Sequence, residues 1–300
     1  MNSEQEIYKK ITIIIVTFHS KYIIDKCLNN LDKNFKIILA ENSDDTTFTQ
    51  QLMNKYNNVF SFTIGYDAGF GYAVNKALEK VKTEYFVCLN PDSFPDKDCI
   101  NQIFKTIKRK ECGMVVPITI KENGKESTEY GGFFGEKISK DKDKDNLLQV
   151  DRVSGNLFIM NTNFFNKIGK FDENIFVNFE ETDLQKRIKD NKKEVLVDYN
   201  AKTKHLEGKS ADPSLQYFLK CEGAWHFSWS QFYFFKKHYG FRRAFNLTFS
   251  SFIKNSLRFL YYFFHNKRQS KISLLHSKGF IYALLNKSPS YRAEINQFPK

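Results

Sequence analysis

The sequence predicts an α/β fold, a mostly parallel sheet covered by helices and followed by a helical, basic, aromatic-rich extension. Three observations predict it. Apolar runs of strand length alternate with segments of helical periodicity through the first two thirds of the chain. Several of those runs are apolar on both faces, as parallel strands buried between helices are. Composition then breaks near Asp212-Pro213. Residues 1–212 carry 32 Lys+Arg against 32 Asp+Glu, whereas residues 213–300 carry 14 against 2. The extension therefore holds the whole net charge of +12, together with 23 of the 48 aromatic residues. The break divides the chain into a domain over 1–212 and an extension over 213–300.

Each element follows in order. "ITIIIVTF" (Ile11–Phe18) is the first strand, and "KYIIDKCLNNL" spaces Ile23, Ile24, Cys27, Leu28 and Leu31 at helical intervals. "KIILA" (Lys36–Ala40) is the second strand, with "ENSDD" after it and a helix from about Phe48. "FSFTIG" is a third strand, and "GFGYAVNKALEKV" begins glycine-rich and becomes helical. "YFVCL" (Tyr85–Leu89) is the fourth; it stops because Pro91 has no N–H to donate and restricts the residue before it. A helix over Lys97–Lys108 leads to "CGMVVP". "LFIM" (Leu157–Met160) and "EVLVD" (Glu194–Asp198) are short strands flanking a helix at Glu180–Lys189. The charged run "KISKDKDKDN" (Lys137–Asn146) reads as a mobile loop.

A hydrophobic content of 41% supports a full core. The polar start "MNSEQEIYKK" predicts no secretory leader. Cys27, Cys88, Cys99, Cys112 and Cys221 are odd in number and lack CxxC spacing, so reduced thiols are expected rather than a zinc or disulfide framework.

Ligands of such sheets bind beyond the carboxyl ends of the strands. There stand Thr17 after the first strand, Glu41, Asn42 and Ser43 after the second, Asp67, Gly69 and Gly71 after the third, and Asn90 and Asp92 after the fourth. Singly, these are ordinary turn and cap residues. Together they outline one crevice, and the two glycines suit close approach of backbone N–H groups to a diphosphate. No GxGxxG follows the first strand, so a dinucleotide fingerprint is absent. Asp92, pinned between two prolines, suits a hard oxygen ligand for a divalent cation such as Mg²⁺, whose shell phosphate oxygens and water complete. In "FDENIFVNFEETDL" the carboxylates of Glu180, Glu181 and Asp183 crowd a helix start. The helix dipole favours acids there, and Asp183 can pair with Arg187. Crowding also tunes the proton affinity of a catalytic base. His205, in "KHLEGKS", lies a few residues beyond the strand expected to end at Asp198.

With these residues laid out, the chain resembles the inverting glycosyltransferases of family 2, nucleotide-diphosphosugar enzymes of the GT-A fold, and in particular their rhamnosyltransferase-like subgroup. The resemblance runs from about Ile11 to Ser210 through "IIIVTF", "AENSDD", "GYDAGFGYAVNKAL", "LNPDS", "VSGNLFIM", "FDENIFVNFEETDL" and "HLEGKS". It implies that Thr17, Glu41, Asn42, Ser43, Asp67, Gly69, Asn75 and Asn90 line a nucleotide-sugar. It implies Asp92 and His205 as ligands of Mn²⁺ or Mg²⁺, with Glu181 as general base and Asp183 and Glu180 as alternatives. Ser154, Gly155 and Asn156 fall in the loop facing the acceptor. Asn90 replaces the first acid of the family's Asp-x-Asp metal motif, and Glu41 and Glu181 stand where Asp is usual. The implied donor is a dTDP- or UDP-sugar, with dTDP-rhamnose favoured. The implied acceptor is a glycan or lipid-linked saccharide of capsule, O-antigen or cell wall.

In the extension, Lys254 and Arg258 interrupt the aromatic run, whose uncharged portions are shorter than the roughly 20 residues of a spanning helix. Such a helix suits the interface of an anionic membrane, which predicts a cytoplasmic protein peripheral on the inner face of a bacterial plasma membrane. Packing on the domain, or on a second copy in a homo-oligomer, is the alternative. Nucleic-acid binding is not expected, since no RNA-binding motif appears. A catalytically degenerate domain serving as an assembly partner is the remaining rival. A sugar nucleotidyltransferase would need a basic, glycine-rich loop after the first strand, where "VTFHSKY" stands.

Overall fold

The computed structural model describes residues 3–127, 129–138 and 141–293. The chain divides into two compact units, the first over residues 1–172 and 181–212, the second over 173–180 and 213–300. Segment 173–180, expected within the first domain, thus groups with the helical unit.

The first unit opens with α1 (Ser3–Lys10), β1 (Ile11–Thr17), α2 (Lys21–Asn30), β2 (Lys36–Glu41), α3 (Thr46–Lys55), β3 (Val59–Thr63), α4 (Phe70–Leu78) and β4 (Tyr85–Leu89). It continues through β5 (Ser93–Pro95), α5 (Cys99–Lys110), β6 (Met114–Lys121), β7 (Tyr130–Gly131), β8 (Leu147–Val150) and β9 (Arg152–Val153). It closes with β10 (Leu157–Asn161), α6 (Thr162–Lys167), α7 (Glu180–Asp190) and β11 (Val195–His205). The sheet runs β3-β2-β1-β4-β10-β6-β11-β5, with β8 beside β11. The strands β3, β2, β1 and β4 are mutually parallel, and β10 lies antiparallel between β4 and β6.

Both faces of the sheet are covered, which is why the strands are apolar throughout. Ile11, Ile13 and Ile15 of β1 join one core with Ile24, Cys27 and Ile103. Ile14 and Val16 join the other, with Val74, Phe158 and Leu184. The second core centres on edge-to-face rings, Phe86 standing 6.1 Å from Phe158 and 5.1 Å from Phe165, with Phe171 5.5 Å from Phe165. Such pairs add to the burial that already favours them.

One expectation needs correction. The strand expected to end at Asp198 runs on to His205, after a register shift between Asp198 and Lys202. Asp198 is buried and accepts from Thr106 Oγ1 at 2.6 Å and from the backbone N–H of Asn200 at 2.9 Å. That local turn absorbs the irregularity, and the strand then resumes its ladder. The charged loop Lys137–Asn146, read as mobile, makes ion pairs to α5 in its described part. Lys110 contacts Asp143 at 3.0 Å and Asp145 at 2.8 Å, Arg109 contacts Asp145 at 3.0 Å, and Leu147 N–H donates to Asp143. Its residues 139 and 140 lie outside the described residues.

The second unit contains a 3₁₀ turn (Pro213–Leu215), α8 (Gln216–Tyr239), α9 (Phe241–His265) and α10 (Lys267–Leu284). Gly240, at φ 83°, supplies the left-handed residue between α8 and α9. At Gly279 an added Cβ would sit 2.0 Å from the carbonyl oxygen of Trp225, so α10 meets α8 backbone to backbone. Segment 173–180 is held here by Ser230 Oγ, which donates to Val177 O at 3.2 Å, and by the ring of His226, 4.4 Å from that of Phe176. No helix among the described residues is long and apolar enough to cross a membrane.

Phe86→Ala is expected to cost about 3–5 kcal/mol, since it empties a ring site between two other rings. Urea denaturation of the purified variant measures it, and a loss under about 1 kcal/mol would mean that this core collapses around the void.

Candidate active site

Parallel registry brings the polar strand ends to one sheet edge. Thr17 lies opposite Glu41, Glu41 opposite Thr63, and Ile15 opposite Leu89. At the β1–β2 end, Thr17 Oγ1 donates to Glu41 Oε2 at 2.5 Å and Ser43 Oγ donates to Glu41 Oε1 at 2.7 Å. All three side chains are buried. Beside them, Asn42 Nδ2 donates to Asp67 Oδ1 at 2.8 Å, while Asn42 Oδ1 accepts the N–H of Ala68 at 3.0 Å. The cluster forms a rigid floor, with half-buried Asp67 at its rim.

Gly69 caps α4 at φ 88°, a conformation that only glycine adopts without strain. Gly71 serves packing, since an added Cβ would lie 3.0 Å from Phe171 Cβ. Asn75, implied as a donor-site residue, is buried with its amide engaged at both ends. Nδ2 donates to Phe171 O at 3.0 Å and Oδ1 accepts Phe171 N–H at 3.1 Å. It braces α4 against the chain after α6.

Pro91 ends β4, and the backbone turns into β5, which pairs antiparallel with β11. His205 stands opposite Ser93, one residue from Asp92. Asp92 is 1% exposed, with Oδ1 3.2 Å from His205 Nε2 and Oδ2 accepting Lys209 N–H at 3.1 Å. One carboxylate and one imidazole, fixed side by side, fit a divalent cation that takes its remaining oxygens from phosphate and water. Among the described residues no group of three or more His, Cys, Asp or Glu gathers as a fuller ligand set.

The three candidate carboxylates separate by environment. Asp183 is fully buried and paired with Arg187, whose Nε and Nη2 both lie 2.8 Å from Oδ2. Arg187 Nη1 also donates to Ile168 O at 2.6 Å. The alternative base is thereby a structural ion pair. Glu180 is buried and groups with the second unit. Glu181 is half-buried and makes no ion pair among the described residues, and burial pushes its carboxyl above the ordinary 4.5, opposed by a bond from its own N–H. It lies directly on Gly155, where an added Cβ would stand 2.8 Å from Glu181 Cγ and 2.9 Å from Oε1.

The loop and the strand end meet in turn. Asn90 N–H donates to Asn156 O at 2.9 Å, and Asn156 Nδ2 donates to Thr119 Oγ1 at 2.9 Å. Asn156 Oδ1 is buried without a hydrogen-bond partner among the described residues. Ser154 is exposed, with its N–H bonded to Glu129 O at 3.0 Å. A continuous path of contact therefore runs from Asp92 through Asn90, Asn156 and Gly155 to Glu181.

Sequence reasoning misses three residues here. Gln185 is buried, and its amide clasps Val153 through both backbone groups, at 3.0 and 2.8 Å, which fixes the loop over α7. A glutamine among the apolar positions of α7 was its signal. Tyr22 donates to Lys209 O, behind the residue that holds Asp92. Tyr66, 58% exposed, presents a ring beside Asp67, and its place in "GYDAG" was the cue.

Residues 12–169, over half the chain, match the family described as Glycosyl transferase family 2. Two relatives are similar to it. The low-salt glycan biosynthesis hexosyltransferase Agl10 of Haloferax volcanii is 21% identical over 187 residues, covering 59% of this chain and 61% of its own length. Rhamnosyltransferase WbbL of Escherichia coli K12 is 25% identical over 202 residues, covering 59% of this chain and 75% of its own. Among solved structures, GalNAc-T7 with UDP, GalNAc and Mn²⁺ superposes with a TM-score of 0.56 at 14% identity, over 97% of this chain and 57% of that one. Staphylococcus aureus TarS 1–349 with UDP-GlcNAc gives 0.51 at 16% identity, over 93% and 92%. These likenesses show the fold, which is GT-A.

Burial raises the carboxyls of both Glu41 and Glu181, against the hydroxyl donors in the first case. A raised group holds its proton longer in the folded chain than in the unfolded one. Its contribution to stability is complete below the ordinary 4.5 and is lost as pH rises through the folded value. Glu181→Gln should therefore gain thermal stability relative to the parent as pH climbs from about 4 to about 8. Scanning calorimetry of both proteins across that range checks it, and a constant difference would mean that Glu181 titrates normally.

Proposed function

Since the chain belongs to glycosyl transferase family 2 and is a glycosyltransferase, we propose that it moves a hexosyl group from a nucleoside-diphosphate donor to an acceptor hydroxyl with inversion. The observation that carries this reading is the placement of Glu181 against Gly155, in contact succession with Asn156, Asn90 and Asp92. A base and a diphosphate clamp then stand at two ends of one continuous wall. Glu181 takes the proton of the acceptor hydroxyl as that oxygen bonds to the anomeric carbon. The bond from that carbon to the diphosphate oxygen breaks with its electron pair, through an oxocarbenium-like transition state. One displacement with one base leaves the configuration inverted. Raised proton affinity makes Glu181 a better base than an exposed carboxylate.

Asp92 and His205 would hold a divalent cation, which supplies positive charge to the leaving diphosphate. Around it, Asp92 is kept in orientation by Lys209 N–H, and the floor built on Glu41 and Asn42 carries Asp67 toward the nucleotide. For the donor, the subgroup resemblance and the name of WbbL favour dTDP-rhamnose, whereas the UDP-bound structures favour a UDP-sugar. The acceptor is a glycan or lipid-linked saccharide of a cell-surface polysaccharide, handled at the cytoplasmic face.

Differential scanning fluorimetry against UDP, dTDP, GDP and CDP, each with and without Mn²⁺, tests the donor site. One nucleotide is expected to raise the melting temperature selectively, more so with Mn²⁺, and Asp92→Ala should remove the metal-dependent part. No response to any nucleotide would sink the transferase reading and leave the domain as an assembly partner. With the donor known, Glu181→Gln should lower kcat about 10²–10⁴-fold with nucleotide affinity kept. Gly155→Ala, which displaces the same carboxylate, should lower kcat about 10²-fold. Product analysis by NMR reads the anomeric configuration, and retention would refute the single displacement.

A further inference from the structure

Among the described residues, α9 exposes apolar side chains most heavily. Phe264 is 84% exposed, Leu257 62% and Leu260 60%, with Phe249 and Ile253 also open. At 100° per residue these five fall on one stripe, opposite the packed positions Ala244, Thr248 and Phe252. Lys254 and Arg258, one turn apart, run along one edge of that stripe, and both are exposed. An open groove of about 460 Å³ lies along this boundary, lined by Ile253, Lys254, Leu257, Arg258 and Tyr261. Neither α9 nor α10 contains an acidic residue.

We propose that this face of α9 docks on a membrane surface bearing anionic lipid headgroups. The helix lies in the interface, with the apolar stripe entering the acyl boundary and Lys254 and Arg258 meeting headgroup phosphates. Charge complementarity selects this occupant. A second copy meeting the same face about a two-fold axis would set cations against cations, with no acid on the helix to offset them. Single-stranded nucleic acid would use the cations and rings but not the exposed leucines. Spanning is excluded for α9 by its hydropathy and charge. At 25 residues, or about 37 Å, it offers a long contact line. The inference deepens the reading of a lipid-linked acceptor but does not depend on transfer, because binding is read without substrate.

Flotation of the full chain with phosphatidylcholine vesicles, with and without about one third phosphatidylglycerol, tests it. The protein should float only with the anionic vesicles, and salt should weaken the association. Leu257→Asp/Leu260→Asp and Lys254→Glu/Arg258→Glu should each lower the bound fraction at least about tenfold, with the circular dichroism spectrum and the nucleotide-induced thermal shift unchanged. No flotation, or flotation indifferent to both double variants, overturns the proposal. Self-association in sedimentation velocity that these variants abolish, without vesicle binding, overturns it in favour of a second copy. Salt-sensitive binding to single-stranded RNA, without vesicle binding, overturns it in favour of nucleic acid. Loss of the nucleotide response with flotation retained would strike the transferase reading alone.

Discussion

Pro91 has no N–H to place in a ladder, so β4 ends at Leu89 while its antiparallel neighbour β10 begins at Leu157. The rest of the site depends on that interruption. One further bond, from Asn90 N–H to Asn156 O, ties the break to the loop before β10. Beyond the proline the chain is free to turn, and β5 finds a different partner in β11. A strand that ran straight on would carry Asp92 along the sheet. The turn instead buries it against His205 and the N–H of Lys209, whose positions are set by the far end of β11. Two segments distant in sequence are thus registered on one carboxylate.

Electrostatics then sort the acids. Asp183 faces the guanidinium of Arg187 and is neutralised within the fold. Glu41 is enclosed by two hydroxyls, which steady it without an opposing charge. Glu181 faces no opposing cation among the described residues, and burial raises its affinity for a proton. Acids one or two residues apart therefore meet different surroundings because helix geometry sends them to different neighbours.

Much of this is legible in the sequence. Alternation of strands with helices and the polar exits of β1 to β4 follow from local rules of period and turn chemistry. Asp92 is conspicuous because two prolines flank it. What escapes local reading depends on the third dimension. The continuation of β11 to His205 rests on Asp198 finding Thr106 across the sheet, and the ion pairs of the charged loop rest on Arg109 and Lys110 arriving from α5. The bracing of Phe171 by Asn75 is invisible locally, because Phe171 lies 96 residues away in the chain and adjacent in space. Gln185 resembles a surface glutamine until Val153 is seen beneath it. The grouping of segment 173–180 with the helices leaves no compositional mark, since the aromatics that hold it lie beyond Pro213.

The seat of Glu181 on Gly155 also bears on how this site tolerates change over generations. The longer acid occupies the space that a side chain at 155 would fill, so the two positions share one volume. Shortening the acid alone leaves a gap, and enlarging the glycine alone leaves a clash. Made together, the two changes offset one another. Positions 155 and 181 are thus coupled through one shared volume, and the effect of a change at either depends on what stands at the other.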